Sequence, residues 1–504
     1  MDPRGAQGLV EMRGIRKVYP DGAVALRGVD FEVAEGEIHG LLGENGAGKT
    51  TLMRILYGEI KQTSGDVLLQ GRRVSFRGPW DAMRSGINMV YQRFSLVPTL
   101  TVIENLQLYL SSLMKGVRSE EVRRGAESVM EKLGFRVPLD ALVEELPVGV
   151  QQRVEVVKVL LSRPKLIILD EPTSVLTPIE SKELFKMLRE LKKEGISIVF
   201  ITHKLREVKE LTDRVTVLRR GERVGTFSTR SVSEGDLALM MVGRSILPTQ
   251  RSPSSSREEV LRVEDLWVRD ERGLHAVKGV SFELRGGEIL GITGVQGNGQ
   301  LELAEALAGV RNVDSGRIIL KGEDITDLPA RVRYKRGISY VPDSRAVGLI
   351  MDMSLVENSI LTTLGSFLGV GGRVNWSLAT ERANGIVNKF NVIASSIRTQ
   401  VRYLSGGNQQ RLLVGREILK EPDVLVVCEP TQGLDVAATE FIRGTLLRFR
   451  DEGRAIILVS TDLDEVFELS DRIAVMYEGR FIGMGRSEEF TVERLGLLMG
   501  GVSA

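Results

Sequence analysis

Short, mostly apolar runs alternate with longer amphipathic stretches along this chain. Residues 38–43 form one apolar run, ending in glycine. Residues 166–169 and 196–201 form two more, rich in leucine and isoleucine, as strands buried on both faces of a parallel sheet require. Between these two, Leu188, Leu191 and Lys192 fall at helical spacing, and residues 95–160 read as mostly helical. The pattern predicts an α/β core with a helical subdomain inserted between the glycine loop and the later strands. No apolar stretch approaches the ~20 residues that a membrane helix needs.

The pattern then repeats. The segment from Leu26 (LRGVDFEV) matches the one from Val277 (VKGVSFEL), an offset of 251 (277 − 26), and Gly43 pairs with Gly294 at the same offset. Gly149 pairs with Gly407, Glu171 with Glu429 and Met241 with Met499, all at 258 (407 − 149). Two homologous halves are predicted, 8–248 and 260–504. The second gains a net seven residues (258 − 251) between about 343 and 404, with GSFLGVGGRVN, from Gly365, as the expected contributor. Residues 249–259, TQRSPSSSREE, are polar and serine-rich. They cannot bury enough apolar surface to fold alone and read as a linker.

Composition removes several function classes. Acidic and basic residues nearly cancel over the 504 residues, leaving a formal charge of +1, which gives no support to a nucleic-acid-binding surface. One cysteine excludes internal disulfides and cysteine-rich zinc or iron–sulfur sites, and three histidines argue against a histidine metal cluster. The opening residues, MDPRGAQGLVEMRG, lack the apolar core of a secretory signal. A cytoplasmic protein is expected, with any membrane role exercised through a partner.

Gly43, Glu44, Asn45, Gly46, Ala47, Gly48, Lys49 and Thr50 fit G-x-x-x-x-G-K-[ST], with Thr51 continuing into a predicted helix. Glycines let backbone N–H groups point at phosphates, and the helix start adds its positive end. Lys49 is expected to reach the outer phosphates, and Thr50 to offer its hydroxyl to Mg²⁺. The run 166–169 ends in Asp170 and Glu171. Alone, such a pair is often a solvated turn. Beside a phosphate loop, Asp170 is expected to hold Mg²⁺ through water, and Glu171 to orient and polarise the attacking water.

VGVQQ, from Val148, and LSGGNQQ, from Leu404, resemble the signature motif of ABC (ATP-binding cassette) ATPases. The resemblance covers nearly the whole chain. It implies two tandem P-loop NTPase domains, each with a RecA-like α/β core, an antiparallel β subdomain and a helical subdomain, using ATP and Mg²⁺. Ser405, Gly406 and Gly407 then form an anion site at a helix start, with Ser405 as N-cap. Tyr19, before the first strand pair, resembles the aromatic that stacks on adenine. Gln92 resembles the glutamine that senses Mg²⁺ and water, and His203 the switch histidine that contacts the γ-phosphate. Asp435 ends a loop resembling the family's D-loop.

The halves differ. In the second, Gln300 and Leu301 stand where Lys49 and Thr50 stand in the first. Cys428 replaces Asp170, Thr461 replaces His203, Asp343 replaces Gln92 and Asp270 replaces Tyr19. Cys428 reads as a buried strand residue. The first half has defects in other motifs: Pro147 replaces the signature serine, and Thr177 stands where Asp435 stands. Family cassettes pair head to tail, so each ATP would lie between one half's phosphate loop and the other's signature. That rule gathers the intact parts, from Gly43 to Thr50 with Asp170, Glu171, His203, Ser405–Gly407 and Asp435, into one site and the damaged parts into the other.

Two cassettes with this asymmetry resemble the ATPase subunits of simple-sugar and nucleoside importers. GVQGNGQ, from Gly294, and LPVG, from Leu146, favour the nucleoside branch, while YVPDSR, from Tyr340, resembles a Y-V-P-E-D-R segment of both. The resemblance implies a peripheral protein on the cytoplasmic face of the membrane. It would dock two permease subunits near 92–105 and 343–358 and work through them with an extracytoplasmic solute-binding protein, without contacting solute or nucleic acid. The competing class is a soluble tandem ABC ATPase of translation or nucleic-acid maintenance.

Overall fold

The computed structural model describes residues 8–20, 22–92, 94–114, 116–173, 176, 178–243 and 258–501. The chain divides into two compact units, Met1–Leu247 and Pro248–Ala504. Most of the expected linker, 249–257, and Thr177 lie outside the described residues. Glu259, expected to end the linker, instead opens the strand Glu259–Arg269, where its carboxylate pairs with Arg262 at 2.7 Å.

The first unit is built on a six-stranded sheet. Its order is Glu222–Ser228, Arg214–Arg219, Ile38–Gly43, Ser197–Thr202, Leu166–Asp170 and Ile87–Val90. All neighbours pair in parallel except the outermost, Glu222–Ser228. Successive side chains of a strand point to opposite faces, and the central strands feed two separate cores. Leu41, Leu166, Ile168, Val199 and Ile201 pack toward one. Ile38, Ile167, Leu169, Ile198 and Phe200 pack toward the other, together with Val156 of Val148–Leu160 and Leu188 and Leu191 of Pro178–Lys193. An antiparallel sheet, ordered Val24–Ala34, Gly8–Val18, Ser64–Leu69 and Arg72–Val74, closes the first core. The helices Val102–Leu113, Ser119–Leu133 and Val148–Leu160 share a third core around Leu106, Val122 and Val154.

The second unit repeats this plan, with the six-strand order Ile338–Val341, Val424–Cys428, Ala455–Val459, Ile289–Thr293, Arg472–Tyr477 and Arg480–Arg486. The isolated bridge Thr101 to Leu142 recurs as Ser354 to Gln400. The first positions differ by 253 (354 − 101) and the second by 258 (400 − 142). Five of the seven gained residues therefore lie between Ser354 and Gln400, where Leu368 and Val374 bridge across a glycine turn. The other two precede Ser354. Among the described residues, no helix is long and apolar enough to cross a membrane.

Candidate nucleotide site

The central strand Ile38–Gly43 delivers its end to the glycine loop, and the helix Lys49–Leu56 follows. Two glycines fit where nothing larger would. A Cβ on Gly43 would stand 2.4 Å from the Leu218 carbonyl oxygen. Gly48, at a φ of 100°, would place one 2.8 Å from the Ala25 carbonyl oxygen. Lys49 folds back over the loop and donates to the carbonyls of Gly43 at 2.6 Å and Glu44 at 3.1 Å. Burial lowers the pKa of its ammonium, against the pull of Glu171 and Asp170.

Thr50 donates its hydroxyl to Asp170 at 3.1 Å. Burial, with repulsion from Glu171, pushes the Asp170 carboxyl up to about 6 despite that bond. A hydroxyl and an under-compensated carboxylate side by side are hard oxygen donors. Together with phosphates they suit Mg²⁺, which commonly takes one or two carboxylates and keeps several waters. The residues present fit that ion.

Glu171 follows in left-handed backbone, at a φ of 47°, its N–H donating to the Ile201 carbonyl at 3.1 Å. This turns its side chain out of the sheet between two partners. Gln92 Nε2 donates to Oε2 at 3.1 Å, and His203 Nδ1 donates to Oε1 at 3.1 Å. Burial alone would raise the Glu171 carboxyl; the His203 bond and the charges of His203 and Lys49 outweigh it and hold it low. Of the expected metal-site residues, Thr50 and Asp170 meet, whereas Gln92 bonds Glu171. Tyr19 lies in the turn between Gly8–Val18 and Val24–Ala34, not before the strand pair. Its hydroxyl reaches Thr51 Oγ1 at 3.3 Å, and Lys17 Nζ lies 5.3 Å from its ring centre.

In the second unit the same loop carries different side chains. Gln300 fills the lysine's place and donates to the Val295 carbonyl at 3.1 Å, the counterpart of Glu44. Leu301 packs against the core, and Cys428 is buried in its strand. Glu429 keeps the left-handed backbone, at a φ of 44°, but bonds the backbone N–H of Thr461 at 2.8 Å. Burial pushes its carboxyl up to about 7. Asp343 is exposed. Asp270 accepts from the N–H groups of Arg272 and Leu274, both at 2.9 Å, and so closes a turn where Tyr19 offers a ring.

Ser405 caps Gly406–Ile418, accepting from the Asn408 N–H at 3.4 Å and the Asn408 side chain at 2.9 Å. Gly407 lies against the next helix: a Cβ there would meet Ala438 at 2.9 Å. Asp435 caps that helix, Val436–Asp451, accepting from the Ala438 N–H at 2.7 Å. Pro147 caps Val148–Leu160 with no side-chain bond.

Sequence reasoning missed a buried carboxylate behind the site. Glu207 accepts from Thr173 and Thr202, both at 2.6 Å. The repeat could have exposed it, because Thr173, Thr202 and Glu207 recur as Thr431, Ser460 and Glu465, all at 258 (465 − 207).

The ABC transporter family profile matches residues 26–174 and 277–432. The glucose import ATP-binding protein TsgD13 of Haloferax volcanii is 43% identical, over 98% of this chain and 96% of its own length. The guanosine import ATP-binding protein NupO of Bacillus subtilis is 42% identical, over 98% and 97%. The nucleoside import ATP-binding protein NupA of Lactococcus lactis is 40% identical, over 98% of both. With two phosphate loops, two signature helices and full-length relatives of this kind, the chain belongs to the ABC transporter family, among its tandem-cassette import ATP-binding proteins, and is an ATPase.

Proposed function

We propose that this chain drives solute import with one hydrolytic site. The observation that carries the reading is the grouping of Lys49, Thr50, Asp170, Glu171, Gln92 and His203 in the first unit, against Gln300, Leu301, Cys428 and Thr461 in the second. Lys49 exchanges its loop carbonyls for phosphate oxygens when ATP enters. Glu171, held as a carboxylate, orients and polarises water toward the γ-phosphate, and His203 contacts that phosphate. Thr50 and Asp170 would hold Mg²⁺, which neutralises charge on the phosphates when bound. Following the family's head-to-tail rule, Ser405, Gly406, Gly407 and Asp435 complete this site.

The imported solute is a nucleoside or simple sugar, with nucleoside favoured by GVQGNGQ and LPVG. Two permeases and an extracytoplasmic solute-binding protein are the partners, and the chain works at the cytoplasmic face. Relatives named for glucose and for guanosine are almost equally similar, so the solute is read by stimulation. The chain should be purified with the permeases encoded beside it and its ATPase assayed with nucleosides and sugars.

The hydrolytic assignment has a matched test. Glu171→Gln should keep ATP binding and lose roughly 10²–10⁴ in turnover, the scale of a positioned base. Glu429→Gln should stay within a few-fold of the parent. Equal losses from both would sink the one-site reading.

A further inference from the structure

The strand ends that carry Glu171 and His203 are neighbours, but the sheet holds them together only as far as the bond from Glu171 N–H to the Ile201 carbonyl, at 3.1 Å. Beyond it, Pro172 has no N–H to offer. Apart from the direct bond between the Glu171 and His203 side chains, the next tie between the two segments is a second carboxylate. Glu207, in the first turn of Leu205–Leu211, receives the Thr173 hydroxyl on Oε1 and the Thr202 hydroxyl on Oε2, each at 2.6 Å. All three side chains are buried. The Thr202 hydroxyl also accepts from the Lys204 N–H at 3.0 Å, fixing the chain on the far side of His203. Hydrogen bonds to an ionised carboxylate are roughly twice as strong as neutral ones. One buried group thus grips the residue two beyond Glu171 and the residue just before His203.

The second unit contains the same bridge without the same use. Thr431 and Ser460 donate to Glu465 at 2.6 and 2.8 Å. The glutamate beside it, Glu429, faces the Thr461 backbone and no histidine. The folding role of the bridge is duplicated, while a catalytic pair stands over one copy only.

We propose that Glu207 is a positioning residue for ATP hydrolysis: its two-armed bridge holds Glu171 and His203 at the separation from which they act together on water and phosphate. This rests on the reading of Glu171 as the water-activating carboxylate.

Steady-state ATPase kinetics and thermal melting of the full chain test it. Glu207→Ala should lower kcat by about 10–100-fold, the scale of misplacing a catalytic group by about an ångström, and leave KM for ATP within about threefold. Glu207→Gln, which can accept from one hydroxyl and donate to the other, should recover most of the loss. In a Glu171→Gln background, Glu207→Ala should cost less than about twofold more, because the two act as a unit. Glu465→Ala should depress melting about as much while kcat stays within about threefold. Should Glu207→Ala fail to fold, Thr173→Val, which removes one arm, should lower kcat by several-fold with KM retained.

Equal losses of kcat in Glu207→Ala and Glu465→Ala would make the bridge merely structural. Unchanged kcat in Glu207→Ala, with Glu171→Gln inactive, would overturn the positioning role alone. An active Glu171→Gln would overturn the reading beneath it.

Discussion

Asp170 is placed where its charge is costly. Its carboxyl ionises near 6 in the folded chain against 3.8 in the open one, because burial opposes the charge and Glu171 adds to the repulsion. The folded state therefore holds a proton that the unfolded state releases. Ionising Asp170 costs stability at neutral pH, and the cost fades as pH falls through about 6 toward about 4. Asp170→Asn keeps an acceptor for Thr50 and removes the charge. Without nucleotide or Mg²⁺, this variant should be more stable than the parent near pH 7.5 by about 1–3 kcal/mol, a shift of several degrees in melting. The gain should vanish toward about pH 4, and turnover should be lost throughout. Melting curves across that range check it; a variant less stable than the parent at neutral pH would show that the ionised carboxylate is well compensated as it stands. The second unit has made a related change, with the neutral, buried thiol of Cys428 where Asp170 stands.

At the scale of elements, two loops are locked by the same device. Asn105 receives the Val97 N–H at 2.7 Å and donates to the carbonyls of Val97, Leu100 and Thr101. Asn358 does the same for Ile350, Met353 and Ser354. Each follows a helix start closed by a capping box, Thr101 with Glu104 and Ser354 with Glu357. Replacing either asparagine by alanine strands several buried backbone groups, and each unmet group costs about 1–3 kcal/mol. Asn105→Ala and Asn358→Ala should each lower the denaturant midpoint by a similar amount, and near-parent stability in either would mean water replaces the amide. Elements were legible in the sequence in proportion to how simply they are buried. Residues 166–169 and 196–201 announce themselves because both faces of their strands are covered. Gly8–Val18 does not, because register shifts between Met12 and Ile15, beside the left-handed Gly14, break its alternation. Missing that strand put Tyr19 before the strand pair when it lies in the turn. Glu207 was illegible for a different reason: a buried carboxylate answering two hydroxyls from distant segments leaves no local period, only an echo in the repeat.

At the scale of the whole molecule, the intact and damaged motifs are divided so that neither half alone has a full set. The first has the phosphate loop, both carboxylates and His203; the second has the serine-capped signature and Asp435. The spacing of the repeat made this division readable, since each defect has an intact partner at 251 or 258. Under the proposed head-to-tail pairing, the helix start capped by Ser405 serves the ATP held by Lys49, and the one capped by Pro147 serves the poor site. Such a helix start supplies donors where charge develops, and losing one donor typically costs about 10²–10³ in rate. Ser405→Arg removes the cap and puts a bulky side chain at that helix start. It should abolish most ATPase activity, whereas Pro147→Arg at the matching position should be far milder. Both variants must melt within a few degrees of the parent for the comparison to count. Equal damage from the two arginines would contradict a single hydrolytic site. A silent Ser405→Arg beside an inactive Lys49→Ala would show that hydrolysis proceeds without the second half's signature, and the head-to-tail assignment would fall while the assignments of Lys49 and Glu171 stood.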